Sequence, residues 1–406
     1  MRPPKGRGEE MNMAQRTLNT EHGLDVATVK ARLEKLLPDI EAAAEIAEAQ
    51  RKPVDAVIAG LAQTGIFRAF VPKRYGGMEI GLNDFIDLGI AVGERCTSTG
   101  WVTTFYMEHN WILAQFGRTA QDAIFGKQPF VLAPASISPN GRAQREEQGY
   151  SLTGRWAWGT GVMHADWVML NGVIAGEKPE PRLFIVPREQ ITIEDVWQTS
   201  GMRGTGSNDM LADRVQVDEA FSEPLRGMSV GRGSGVEDTD TSYRYPMMPL
   251  LAIAASIPAL AGARRALTLF EKRLESRTLY GSGAKQIEQA PAHIRLGRIA
   301  GQIAALESQL RAIAQELEAW GKRDEICPPL IRSRLRLGVA EIVRACRDAV
   351  MTLVEASGAG AHMANSPLQR IQRDLNMLSC HTVFDVDAAA ENHGRLLLGL
   401  EPATPV

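Results

Sequence analysis

The hydrophobic period of this 406-residue chain changes twice, and those two changes limit the fold more than any other feature. From 24 to 128 apolar residues recur at helical spacing, as in "VKARLEKLLPDIEAAAEIAEAQRK" (29–52). Pro38 falls inside that run and is expected to bend or interrupt it. A glycine-containing turn, "VPKRYGGMEI" (71–80), precedes a mainly apolar helical stretch over 83–117, for which Asn83 is the expected N-cap. Between about 129 and 225 the period falls to two. Short runs such as "YSLTGRWAWGTG", "DWVMLNGVI", "RLFIVP", "ITIEDVW" and "MLADRVQV" are separated by Gly, Pro and Asp, the pattern of an antiparallel β-barrel or sandwich. Residues 227–242 read as a loop or linker. From 246 to 400 the helical period returns in long runs, enough for four antiparallel helices. The last is expected to pass unbroken through "DLNMLSCHTVFDVDAAAENHGRLLLGL" (374–400), with His381 inside it. The reading is α+β, in three units: a helical domain over 24–128, a β-domain over 129–240 and a helix bundle over 241–406. The polar start, 1–23, has no apolar centre and reads as a disordered tail.

Several function classes fit poorly. A formal charge of −3 gives no basic footprint for nucleic acid. The four cysteines are scattered without a CxxC, and no histidine pair has metal-ligand spacing on a helix, so no metal is expected. That cysteine usage suits a reducing cytoplasm. No apolar run is read as reaching the roughly 18 residues of a membrane helix. "GRGSGV" and "GTGSND" lack the spacing and context of a dinucleotide motif, and no P-loop, HExxH or GxSxG is present.

Three stretches are informative together: "GYSLTGRWAWGTGVMHADWVML" (149–170), "WQTSGMRGTGSNDMLADRVQV" (197–217) and "SGAGAHMANSPLQRIQRDLNMLSCHTVFD" (357–385). Each alone reads as turn glycines and core tryptophans. In this order they resemble the acyl-CoA dehydrogenase superfamily over about 25–400. That family joins an N-terminal helical domain, a central β-domain and a C-terminal four-helix bundle around a flavin. The resemblance departs at one point. Acyl-CoA dehydrogenases carry a glutamate base soon after an R-x-x-R-D segment, whereas here "RIQRD" (370–374) leads into "LNMLSCHTVFD", without Glu. "STGWVTTFYMEHNW", "GRWAWGTGVMHADW" and "GMRGTGSND" instead resemble the oxygenase components of two-component flavin monooxygenases, such as p-hydroxyphenylacetate, phenol and indole hydroxylases.

That resemblance implies reduced FMN or FAD as cofactor, delivered by a separate NAD(P)H:flavin reductase, and O2 as co-substrate. The absent nicotinamide motif agrees with it. It implies oxygen transfer to an aromatic substrate through a flavin C4a-hydroperoxide, which needs a dry site. The implied catalytic residues are His109, His381 and Thr160: the histidines deprotonate or orient the substrate, and the threonine hydroxyl stands by flavin N5. The implied cofactor contacts are Trp101, Ser136, Ser138, Trp158, Thr160, Gly161, Arg203 and Arg277. Arg277, in "ESRTLYG", is similar to an arginine that reaches a neighbouring subunit's flavin phosphate, and a homotetramer follows from that sharing. An S- or N-oxygenating enzyme of the same fold and a true acyl-CoA dehydrogenase stand as alternatives.

Overall fold

The computed structural model describes residues 23–176, 179–237, 241–279, 281–323, 325–404 and 406. The tail expected over 1–23 lies outside them, apart from Gly23. Among the described residues five α-helices come first: α1 Val26–Gln50, α2 Asp55–Thr64, α3 Leu82–Gly93, α4 Thr97–Leu113 and α5 Arg118–Phe125. Helix α1 runs through Pro38 without the expected interruption. The proline and Glu34, whose carbonyl loses its partner, are both exposed, so the freed carbonyl is open to solvent. Asn83 is not the cap of α3. The helix starts at Leu82, whose N–H donates to Glu318 Oε1 from a distant helix at 2.5 Å, so a tertiary contact replaces a local cap.

The middle of the chain forms β1 Ala135–Glu146, β2 Gly149–Gly159, β3 Trp167–Ile174, β4 Glu180–Pro187, β5 Thr192–Glu194, β6 Asn208–Asp218 and β7 Ser222–Pro224. They make one sheet in the order β5-β6-β2-β1-β3-β4-β7. The sheet is mixed rather than antiparallel throughout, because β1 and β3 run parallel. Side chains alternate between two cores, as the period of two requires. Val168, Leu170, Phe184 and Val186 join Trp156 and Met210 in a core of the sheet's own. Met169, Leu183 and Ile185, one step out of phase, join the helical core. β4 also touches β6 across the sheet's own core, so the sheet curls toward a barrel.

A short helix, α6 Leu225–Met228, overlaps the start of the linker expected over 227–242. Then come α7 Met247–Ser276, α8 Ala290–Gly321, α9 Pro329–Ser357, α10 Pro367–Leu378 and α11 Val386–Leu397. Helix α7 is long and apolar enough to span a membrane by length and composition, contrary to the sequence expectation, but its apolar stretch lies inside the fold. It packs against α3, α4, α8 and α9, so the N-terminal and C-terminal helices share one core. The expected fourth long helix is broken. Asp385 accepts from Ala388 N at 3.0 Å and starts α11 afresh, and His381 stands in the break between α10 and α11.

Candidate active site

Helix α4 is the floor of the site. Cys96 caps it, its Sγ accepting from Thr99 N at 3.5 Å. Its threonines would be poor interior residues, but Thr103 and Thr104 return their hydroxyl protons to the carbonyls of Thr99 and Trp101. Gly100 lets the helix close on α3: a Cβ there would stand 2.6 Å from the Cα of Gly93. Every residue of α4 except Phe105 is buried. Trp101, Phe105 and His109 recur at intervals of four, on one stripe. Their rings form a row, with centroids 4.7 Å apart for Trp101–Phe105 and 5.3 Å for Phe105–His109. The break after α10 extends that row: His381 lies 5.6 Å from Trp101, and Phe384 lies 6.2 Å from His381.

The partners of the two histidines fix opposite tautomers. His109 Nδ1 is 2.6 Å from the carbonyl of Ala133. A carbonyl only accepts, so Nδ1 carries the proton and Nε2 the lone pair. Nε2 stands 3.6 Å from Glu108 Oε2, so both ring nitrogens face protein groups. Burial pushes the His109 pKa down to about 4, so the ring is neutral. In His381 the order is reversed. Nδ1 accepts from Val383 N at 3.2 Å, so Nε2 carries the proton and is the donor that the residue offers outward. His381 is exposed at the surface of the site. Protein packed around its ring pushes its pKa down to about 4, so this ring too is neutral.

A second strand of chemistry runs through hydroxyls. Thr205 Oγ1 donates to Met202 O at 2.9 Å and therefore accepts from Ser207, 2.8 Å away. Ser207 then accepts from Thr160 at 3.1 Å. Thr160 in turn accepts from the indole N–H of Trp101 at 3.1 Å. Each hydroxyl has one proton, so the chain has a single direction, from Trp101 through Thr160, Ser207 and Thr205 to the Met202 carbonyl. One lone pair of Thr160 is left over. Beside it, Gly161 adopts φ +82°, and a Cβ there would meet the Tyr106 hydroxyl at 2.6 Å. Trp158 is 65% exposed and holds a left-handed φ of 62°, fixed by its N–H donating to Asp209 at 3.1 Å. A strained backbone that keeps an indole in solvent points to a ligand face.

The structure thus gathers Trp101, His109, Thr160, Gly161 and His381, with Trp158 beside Thr160. The other expected contacts make no ring contact or hydrogen bond with the row among the described residues. Ser136 is buried and Ser138 exposed, both on β1. Arg203 directs its guanidinium to the carbonyls of Glu48 and Thr199, at 3.4 and 3.0 Å, and ties the end of α1 to the 202–206 turn. Arg277 donates to Ala356 O at 2.9 Å and Gln286 Oε1 at 3.2 Å, at the end of α9. Sequence reasoning missed Phe105, Glu108, Thr205, Ser207 and Phe384. The four-residue spacing marks Phe105. Glu108 was visible as the one acidic residue of an otherwise uncharged apolar helix.

Models of two families match the ends of this architecture: the acyl-CoA dehydrogenase N-terminal domain over residues 20–126 and its C-terminal domain over 253–386. A pigment production hydroxylase from a Rhodococcus species is 35% identical over 379 residues, spanning 92% of this chain and 97% of its own. The oxygenase component of p-hydroxyphenylacetate 3-hydroxylase from Acinetobacter baumannii is 30% identical over 91% of this chain and 89% of its own. Among solved structures, XiaF from a Streptomyces species, in complex with FADH2 and glycerol, superposes with a TM-score of 0.88 at 27% identity, covering 94% of this chain and 97% of that one. On these grounds the chain belongs to the acyl-CoA dehydrogenase superfamily and, within it, to the flavin-dependent oxygenase components.

Proposed function

We propose that this protein is the oxygenase component of a two-component flavin monooxygenase that hydroxylates a phenolic ring. The observation that carries the reading is the convergence of Trp101, Thr160 and His381, from three separate elements, around one aromatic row. The residues present fit a reduced flavin. The exposed Trp158 offers a ring face, and the free lone pair of Thr160 suits the N5–H that a reduced flavin carries and an oxidised one lacks. When bound, the reduced flavin supplies the electrons that activate dioxygen. The protein's residues bind, orient and exclude water around it. Trp101 and Phe105 form an apolar wall, and burial keeps His109 neutral, so the row brings no charge into a site that must stay dry.

His381 offers Nε2–H, a donor suited to a phenolic oxygen. An indole N–H cannot accept that bond, so the polarity favours phenols over indoles. His109, with both nitrogens facing protein, has an orienting role. Arg277 reaching a neighbouring flavin, the homotetramer, a cytoplasmic setting consistent with four free cysteines, and domain limits at 24–128, 129–240 and 241–406 complete the proposal.

The test is one of electron supply. The purified chain with flavin and NADH or NADPH should neither consume nicotinamide nor form product. Adding a separate reductase that releases reduced flavin should yield a hydroxylated phenol. Nicotinamide oxidation by this chain alone would overturn the two-component reading.

A further inference from the structure

Glu108 has no place in the function so far. It is fully buried, and neither carboxyl oxygen has a hydrogen-bond partner. An isolated carboxylate in an apolar interior is among the costliest groups to bury, and proteins avoid the cost by keeping the proton on. Burial is the sole cause of the upward shift in its pKa: no charged group on the elements packed around α4 adds to it. The titratable group beside it is the next residue on the helix. His109 Nε2 lies 3.6 Å from Glu108 Oε2, and that nitrogen carries a lone pair because Nδ1–H is held by Ala133.

A neutral carboxylic acid has one donor and seeks an acceptor; the neutral imidazole has one acceptor and lacks a donor. We propose that Glu108 is a protonated positioning residue whose O–H is shared with His109 Nε2, forming a buried dyad that fixes the tautomer and plane of the imidazole. The separation of 3.6 Å exceeds a hydrogen bond, and rotation about the glutamate side chain is what closes it. No covalent bond breaks: the proton stays on the carboxyl, and the pair is neutral. Transfer to Nε2 would leave the net charge unchanged but create two charges in an apolar interior, and burial opposes that. The ring so pinned stacks edge-on against Phe105, which packs on Trp101, which faces His381. The dyad therefore anchors the far end of the row. Its bearing on catalysis rests on the oxygenase reading; the dyad itself does not.

The experiment uses the full chain without flavin or turnover. Infrared difference spectra in D2O between the protein and Glu108→Gln should show the carbonyl band of a protonated carboxylic acid, persisting through neutral pH. In His109→Phe that band should move to higher frequency, because the acceptor is gone. Nitrogen NMR of histidine-labelled protein should place an accepted hydrogen bond at His109 Nε2, retained in Glu108→Gln, whose amide still donates, and lost in Glu108→Leu. A missing acid band, or one that His109→Phe leaves in place, would overturn the proposal. Should Glu108→Leu fail to fold, the infrared band and Glu108→Gln still decide. An intact dyad in a protein that hydroxylates nothing would count against the oxygenase reading alone.

Discussion

The direction of hydrogen bonds at single residues makes claims that the residue types alone do not. Thr160 gives its proton to Ser207, so toward a flavin it can only accept. Removing that sink with Ser207→Ala frees the hydroxyl to donate, and the preference for reduced over oxidised flavin should narrow. A neutral hydrogen bond is worth about 1 kcal/mol, so the ratio of dissociation constants should shrink by roughly fivefold. Anaerobic titration with both redox states measures it, and an unchanged ratio would remove the hydroxyl chain from cofactor selection. His381 divides in the same way between donor and base. A general base contributes about 100- to 10,000-fold, and its loss would disable His381→Asn and His381→Ala alike. A donor with its proton on Nε2 predicts instead that His381→Asn, which keeps an N–H, stays within about tenfold of the parent while His381→Ala falls further and releases more H2O2 per product. Single-turnover rates and product coupling separate the two.

At the scale of elements, α4 is the piece whose position matters most, and Gly100 sets it. A methyl there meets the backbone of α3 at Gly93, which cannot rotate away. Gly100→Ala should cost about 1–3 kcal/mol of overpacking, read by denaturant unfolding, and should displace Trp101, one residue on. The stripe of α4 was legible because its period is uninterrupted. The break at 379–385 was not: "SCHTVF" contains neither Gly nor Pro, and the apolar period continues across it. The signal was Asp385, whose carboxyl caps Ala388 N three residues on. Strand β1 is absent from the alternating runs for a different reason: Pro139, Asn140 and Gly141 interrupt its period, and they sit where the β1–β3 ladder shifts register between Ser136 and Gly141, a bulge that tolerates a proline. The hydroxyl chain and the Glu108–His109 contact depend on neighbours brought together by folding, and no local pattern encodes them. Asn83 failed similarly, since its helix is capped from α8.

Over the whole molecule, the three regions of the chain meet at the 202–206 turn. Asp374 of α10 accepts from Met202 N at 2.6 Å, Arg203 reaches the end of α1, and a Cβ on Gly204 would touch both Ala47 and Ser98 at 3.1–3.4 Å. Burial, reinforced by Glu48, pushes the Asp374 pKa from 3.8 up to about 7, against the Met202 bond and the guanidinium groups of Arg373 and Arg370, which act to lower it. A raised acid favours the fold while protonated. Its contribution is full below pH 3.8 and is lost as pH rises toward about 7. Asp374→Asn keeps an acceptor for Met202 but cannot ionise, so the parent should lose stability relative to the variant across that window. Denaturant unfolding at a series of pH values checks the sign, and a flat difference would show that the two arginines neutralise the charge. The shared core of α3, α4 and α7 carries its own consequence for descent. A crossover near residue 240 would join one ancestor's α3 and α4 to another's α7 and mismatch the surface between them. Chimeras split there should therefore unfold more easily than either parent, because the helices on either side of the sheet form one packing unit.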